Sequence, residues 1–272
     1  MQLLTRFVKP LLATRAYEWA ESCDLMLERI VSKNLSWLKP FESPHRTDLV
    51  ALDQGFCSEA AENAIKLLVS YRKEINCLPP ALSLNGFFGP ADVAFYWSFI
   101  RSRRPNSVIE VGSGYSSRVA LRALEKNQKG MLICIDPAPR LHLPQKYLTH
   151  IASKLEDVNP KLFEDFQPQD ILFIDSSHMG AEVRNHAVIL DCLPVGALVH
   201  YHDIDYPWER PQPEWDEDNV VAAFLESRPN WSVILSGSIL SRDYLSQLHA
   251  MIRLYRWTPY RRYNALWMTR TA

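Results

Sequence analysis

The sequence predicts an α/β protein built on a doubly wound parallel sheet and preceded by a helical extension. Short apolar or β-branched runs alternate with helix-compatible segments from Ser107 onward. A glycine turn, Gly112-Ser113-Gly114, ends the first run and opens a helix. Polar side chains close four of the runs: Glu110, Asp136, Asp175 and the pair His202-Asp203. Alternation of this kind produces parallel strands covered on both faces. Ligands on such sheets bind beyond the carboxyl ends of the strands, where the strand order reverses.

The elements follow in order. Residues 1 to about 100 read as helical, with apolar residues at mixed three and four spacing over 13–38 and 58–74. Pro40 and Pro44 interrupt the first pair of helices, and Pro79-Pro80 ends the second. Asn85 to Pro90 is a glycine-punctuated loop, and 91–103 is a helix feeding the first strand. Strands are expected at 107–111, 131–136, 148–152, 170–175 and 197–202, with helices at 117–127, 180–192 and 216–227. Two further strands fall at 231–235 and 264–269, separated by a helical stretch over 241–255. Residues 206–215, with Pro207, Pro211 and Pro213, form a long loop. The chain divides into an extension, 1–84, and a main domain, 85–272.

Composition sets outer bounds. A chain of 272 residues with 47% hydrophobic and 22% charged content can bury one large core or a core with a helical annex. The net charge of −1 gives no global field for nucleic acid, so no nucleic-acid partner is expected. Five cysteines without a C-x-x-C pair read as reduced thiols of a cytoplasmic protein. No apolar run reaches the length of a membrane span. An oligomer is left open.

The strand ends carry the chemistry. Gly112 and Gly114, with Ser113 between them, let a ligand approach bare backbone. Glu110 beside them suits a cationic ligand group better than a pyrophosphate. Asp136 follows Gly114 by 22 residues, the spacing at which an acid grips ribose hydroxyls. A dinucleotide fingerprint wants a third glycine where this chain has Ser117.

Glu110-x-Gly112-x-Gly114, with Asp136 and Asp175 after later strands, resembles the class I S-adenosylmethionine-dependent methyltransferases. Phe173-Ile174-Asp175-Ser176-Ser177-His178 and Val199-His200-Tyr201-His202-Asp203-Ile204 resemble a bacterial subgroup with FIDxSH and vHxHDI strand ends. The resemblance covers roughly 85–240. It implies a Rossmann-like seven-stranded sheet with an antiparallel last strand. It also implies S-adenosylmethionine as cofactor, Gly112 and Gly114 beside its methionine moiety and Glu110 near its amino group. Asp136 would hold the ribose, Asp157, in competition with Glu156, the adenine amine, and Asp175 the edge of the same site.

Methyl transfer to an alcohol needs collinear positioning and a route for one proton. His202 and His178 are the candidate bases, with Asp203 orienting His202. Asp175, Asp203 and Asp205 are candidate oxygen ligands for magnesium or manganese. Against the metal, His202 stands where related enzymes often carry a second acid. His45, His142, His150 and His249 fall outside this expected site, and His200 and His186 are assigned to packing. Pro207 to Trp215 reads as a lid over a small-molecule acceptor, a sugar or a secondary metabolite. The competing classes are a nicotinamide-dependent oxidoreductase and a non-catalytic module that keeps the cofactor pocket. Ser117 and Glu110 oppose the first, and the intact Asp175, His178, His202 and Asp203 oppose the second.

Overall fold

The computed structural model describes residues 57–176, 180–207, 216–257 and 263–272. The expected helix over 13–38, His178 and residues 208–215 of the expected lid lie outside them. The described helices are α1 (Cys57–Ile75), α2 (Pro90–Arg103), α3 (Tyr115–Asn127), α4 (Lys161–Glu164), α5 (Gly180–Cys192), α6 (Asp216–Ser227), α7 (Gly237–Asp243) and α8 (Leu245–Met251). The strands are β1 (Ser107–Val111), β2 (Met131–Ile135), β3 (Leu148–Ile151), β4 (Ile171–Ile174), β5 (Leu198–His202), β6 (Trp231–Ser236) and β7 (Ala265–Arg270). Each expected strand is found within about two residues of its expected bounds. The helical stretch over 241–255 is broken into α7, α8 and a 3-10 turn, Arg253–Arg256.

One seven-stranded sheet runs in the order β3-β2-β1-β4-β5-β7-β6. β1 to β5 are mutually parallel, and β7 pairs antiparallel with both β5 and β6. The chain leaves β1 toward one edge and returns to β4 on the other side. The carboxyl ends of β1 and β4 therefore lie side by side at the reversal of strand order.

Side-chain alternation assigns the two faces. Val108, Leu132, Phe173, Leu198 and Trp267 share a core with residues of α1, α2 and α3. Ile109, Ile135, Leu172, Val199 and Met268 share another with Leu190 of α5 and Phe224 of α6. Every residue of α2 from Pro90 to Ile100 is buried. A helix enclosed on all sides needs no polar stripe, which accounts for the run Phe95, Tyr96, Trp97, Phe99 and Ile100. Ala61, Ala64, Leu68, Leu78 and Leu82 belong to the same core as the sheet. The boundary drawn at residue 84 therefore lies inside a continuous core.

The glycine turn is shaped from beneath by Glu110. Its side chain lies on the α2 face of β1 and is fully buried. Oε1 accepts from the Tyr96 hydroxyl at 2.8 Å. Oε2 accepts from the Ser117 hydroxyl, and the Cys134 thiol lies 3.8 Å away. Ser117 Oγ in turn accepts from the Gly114 amide at 3.0 Å. One carboxyl thus joins α2, β1, β2 and the first turn of α3. Glu110, expected near a ligand amino group, is here fully buried among these partners.

Burial pushes the Glu110 carboxyl up to about 7, against the hydrogen bonds from Ser117 and Tyr96. Its unfolded value is the ordinary 4.5. The neutral form is favoured in the fold, so this contribution to stability is whole below about pH 4.5 and is lost as pH rises through about 7. Glu110→Gln removes the titration. In chemical denaturation from pH 4.5 to 7.5, wild type should lose about 3 kcal/mol relative to the variant, at about 1.4 kcal/mol per pKa unit. Parallel stability curves would show that the carboxyl is not held neutral by burial.

Candidate active site

The carboxyl ends of β1, β2, β4 and β5 form one rim, and each tip is pinned by a further ladder bond. The Gly112 amide donates to Ile135 O at 2.9 Å, Asp136 N to Ile151 O at 3.0 Å, and Asp175 N to Val111 O at 3.0 Å. Gly112 has φ +90°, and a Cβ there would lie 2.4 Å from the Asp175 carbonyl oxygen. Only glycine fits this crossing of β1 and β4. At Gly114 a Cβ would meet nothing within 4 Å. Its side-chain direction points into open space, as a backbone cradle for a ligand requires.

Asp136 is half-buried at the tip of β2. It accepts from Ser113 Oγ at 2.6 Å and from the Ala138 amide at 2.8 Å, one partner on each oxygen. Each carboxylate oxygen keeps capacity for a second donor, the pattern a vicinal diol satisfies. A cavity of about 110 Å³ opens beside Ser113, lined by Cys134, Leu141, His142, Leu143 and His150 among others. His150 Nε2 lies 2.9 Å from the Asp136 carbonyl oxygen. His142 and His150, which the sequence reading set outside the site, therefore border it. Asp157 is exposed on a 3-10 turn, Leu155–Asp157, and is not part of the cavity wall. No signal in the sequence separates His142 and His150 from surface histidines.

Across the rim, His202 ends β5 on the α2 face. Its side chain is 5% exposed. Its ring lies 5.6 Å from that of Phe88 and 6.3 Å from that of Phe173. Three carboxylates surround it. Asp92 Oδ1 is 3.6 Å from Nε2, while Asp203 Oδ2 and Asp175 Oδ1 are 3.5 and 3.8 Å from Nδ1. An extended strand would send residues 202 and 203 to opposite faces. Asp203 instead has φ +59°, so the chain has turned and its carboxylate comes back to the ring. Burial alone would lower the His202 pKa. The Asp203 and Asp175 charges, with the close approach of the Asp203 and Asp92 carboxylates, outweigh burial and hold it well above 6.5.

Asp92 is a site residue the sequence reading missed. It is 3% exposed, and burial raises its pKa against the His202 interaction. The available signal was Gly89-Pro90-Ala91-Asp92, a helix start with its acid at the third position. His200 points into packing, as expected. It stacks on Phe173 at 4.3 Å and packs on Trp267 at 4.4 Å, and burial holds its pKa well below 6.5. His186 is buried with Nδ1 3.4 Å from the Tyr201 hydroxyl, its pKa lowered to about 4 by burial.

The metal expectation meets a poor donor set. Among the described residues no group of three His, Cys, Asp or Glu side chains is arranged to hold a metal ion. Asp175 and Asp203 face one imidazole nitrogen at ion-pair distance. An imidazole at that place competes with a hard divalent ion for the same oxygens. Asp205 is turned away, accepting from Ser238 Oγ at 2.8 Å.

Comparison with known proteins adds to this geometry. Residues 109–204, from β1 to just past β5, match a family model described as a methyltransferase domain. An uncharacterized protein of Archaeoglobus fulgidus is 33% identical over 90 residues, which are 30% of this chain and 41% of that protein. The match thus spans about two-fifths of that relative. The fold is similar to that of the O-methyltransferase TomG from Streptomyces achromogenes, involved in tomaymycin synthesis, in complex with SAM. That likeness has 14% identity and a TM-score of 0.43 over 79% of this chain and 91% of that one. An O-methyltransferase from Bacillus cereus in complex with SAH gives 12% identity and a TM-score of 0.43 over the same shares. Neither likeness carries a residue's role to this chain. The family match falls on the segment that holds Gly112, Gly114, Asp136, Asp175, His202 and Asp203. Residues 109–204, about a third of the chain, are thus similar to a methyltransferase domain, and they run from β1 through β5 of the seven-stranded sheet.

Proposed function

We propose that this chain transfers the methyl group of S-adenosylmethionine to a hydroxyl of a small acceptor, a sugar or a secondary metabolite. The observation that carries the reading is one rim with two halves: the Gly112–Gly114 turn beside Asp136, and His202 among its carboxylates beyond Asp175. The first half suits a nucleoside with a ribose diol. The second suits control of a hydroxyl proton. The acceptor oxygen attacks the methyl carbon, and the carbon–sulfur pair stays on sulfur as a neutral thioether. The hydroxyl proton passes to His202. Asp203 and Asp175 hold the ring, and His178 is assigned to positioning the acceptor. Asp157 remains the candidate partner of the adenine amine.

Calorimetry with S-adenosylhomocysteine tests the first half. Gly114→Val should abolish binding by filling the cradle. Asp136→Ala should weaken it by about 1.5–3 kcal/mol, one charge-assisted hydrogen bond. Unchanged affinity in both variants, or binding of a nicotinamide dinucleotide in preference, contradicts the reading.

The second half predicts a pH dependence. A base works deprotonated, and the carboxylates raise the pKa of His202. The rate should therefore climb as pH passes through a value above 6.5, rather than at the ordinary histidine pKa. His202→Ala should lower turnover by about 10²–10⁴ with cofactor affinity unchanged. Chelation should leave turnover intact. Loss of turnover on chelation, with recovery on magnesium or manganese, would return Asp175 and Asp203 to the role of metal ligands.

A further inference from the structure

The end of the sheet opposite the rim has a surface chemistry of its own. α1, α2 and α3 finish there, beside the amino ends of β1 and β2. Arg101 in the last turn of α2 bonds Glu74 in the last turn of α1 at 2.8 Å. Arg104, just past α2, donates to Asn127 O at the end of α3 at 3.0 Å. The Met131 amide donates to Asn106 O at 2.9 Å, so the turn after α3 lies against the entry to β1. These helix ends and the residues after them carry Arg72, Lys73, Arg104, Lys126 and Lys129. All five are exposed, and none forms an ion pair with a described residue. The Arg101 bond holds Glu74 below its ordinary pKa and the Lys126 charge adds to it, which places Lys126 at the same junction. Nearby acids are committed: Glu74 to Arg101, Glu125 to Lys146 at 3.2 Å, and the buried Asp170 to the Asn106 and Ser107 amides. Exposed Glu164, Asp165 and Glu226 belong to the ends of α4 and α6, which pack on the other face of the sheet. Apolar side chains are exposed among the cations. Val69, one turn before Arg72 and Lys73, is 53% exposed, and Met131, two residues after Lys129, is 40% exposed. Val195, 51% exposed, precedes Gly196, whose carbonyl accepts from Arg103 at the end of α2.

We propose that this end of the molecule docks on an anionic phospholipid surface, with the five cations among the headgroup phosphates and Met131 entering the interface. Cations in the last turn of a helix also favour its dipole. That account does not reach Lys129, which lies beyond α3, or the exposed Met131 and Val195. A nucleic acid would use the cations but leave the apolar side chains in water. A membrane interface uses both, since its headgroups take the charge and its acyl boundary takes the aliphatic side chain. The net charge of −1 conceals this arrangement because acids gather at the other end, where Asp136, Asp175 and Asp203 stand on the rim. Parallel strands send their carboxyl ends away from their amino ends, so a protein docked this way keeps its rim in water. The inference goes beyond the methyl-transfer reading and does not depend on it.

Co-sedimentation of the full chain with phosphatidylcholine vesicles, with and without phosphatidylglycerol, tests the proposal. Wild type should bind the anionic vesicles and not the neutral ones, and binding should fall as salt is raised. Each cation near such a surface contributes about fivefold in affinity. The triple variant Lys73→Gln, Lys126→Gln, Lys129→Gln should therefore bind about 100-fold more weakly, with thermal stability near wild type. Met131→Ser should weaken vesicle binding but leave retention on heparin, which reads the cations alone, unchanged. Absence of binding to anionic vesicles at low salt overturns the proposal, and so does equal binding by the triple variant. Duplex DNA that displaces the vesicles, together with normal vesicle binding by Met131→Ser, overturns it in favour of a nucleic-acid partner. Should the triple variant not fold, Lys129→Gln alone decides: binding about fivefold weaker supports the proposal, and unchanged binding overturns it.

Discussion

The arrangement at the rim depends on a carboxyl group that never reaches it. Glu110 lies beneath the glycine turn, where Tyr96, Ser117 and Cys134 close around it. Through Ser117 it fixes the Gly114 amide, and through Tyr96 it fixes α2. The backbone at 112–114 is therefore held in place before any ligand arrives, which reduces the ordering cost of binding. A group buried this completely is tolerated because every oxygen is partnered and burial shifts it toward neutrality.

The same helix serves both halves of the site. Tyr96 of α2 meets Glu110 under the glycine turn, while Asp92, one turn earlier, meets His202 at the end of β5. Both contacts fall on the same face of the sheet, where Phe173 and His200 fill the space between them. A shift of α2 would disturb the turn and the histidine together. Its complete burial, with Phe95 stacked on Tyr263 and Phe99 on Trp267, resists such a shift.

The strands and the glycine turn were legible because they follow local rules. A parallel strand buried on both faces leaves a short apolar run, and a crossing with no room for a Cβ beside the Asp175 carbonyl leaves a glycine. The tips Asp136, Asp175 and His202 were legible for the same reason, since topology brings strand ends together. Direction within the fold was not. Glu110 reads like a ligand contact until its alternation on β1 places it against α2. Asp92 reads as a helix cap, and its second oxygen acquires a role only through a histidine 110 residues away. Asp203 reads as a partner of His202 only if the strand has already turned, and its left-handed backbone is that turn. Each of these depends on a contact between distant elements, which periodicity does not encode.

The central claim is that a sulfonium nucleoside lies along the Gly112–Gly114 backbone with its ribose on Asp136. A crystal structure with S-adenosylhomocysteine bound tests it most directly. The account predicts both ribose hydroxyls within hydrogen-bond distance of the Asp136 carboxylate, the thioether sulfur facing the His202 side of the rim, and Glu110 still enclosed. A nucleoside bound elsewhere, or held by a Glu110 that has left Tyr96 and Ser117, would contradict it.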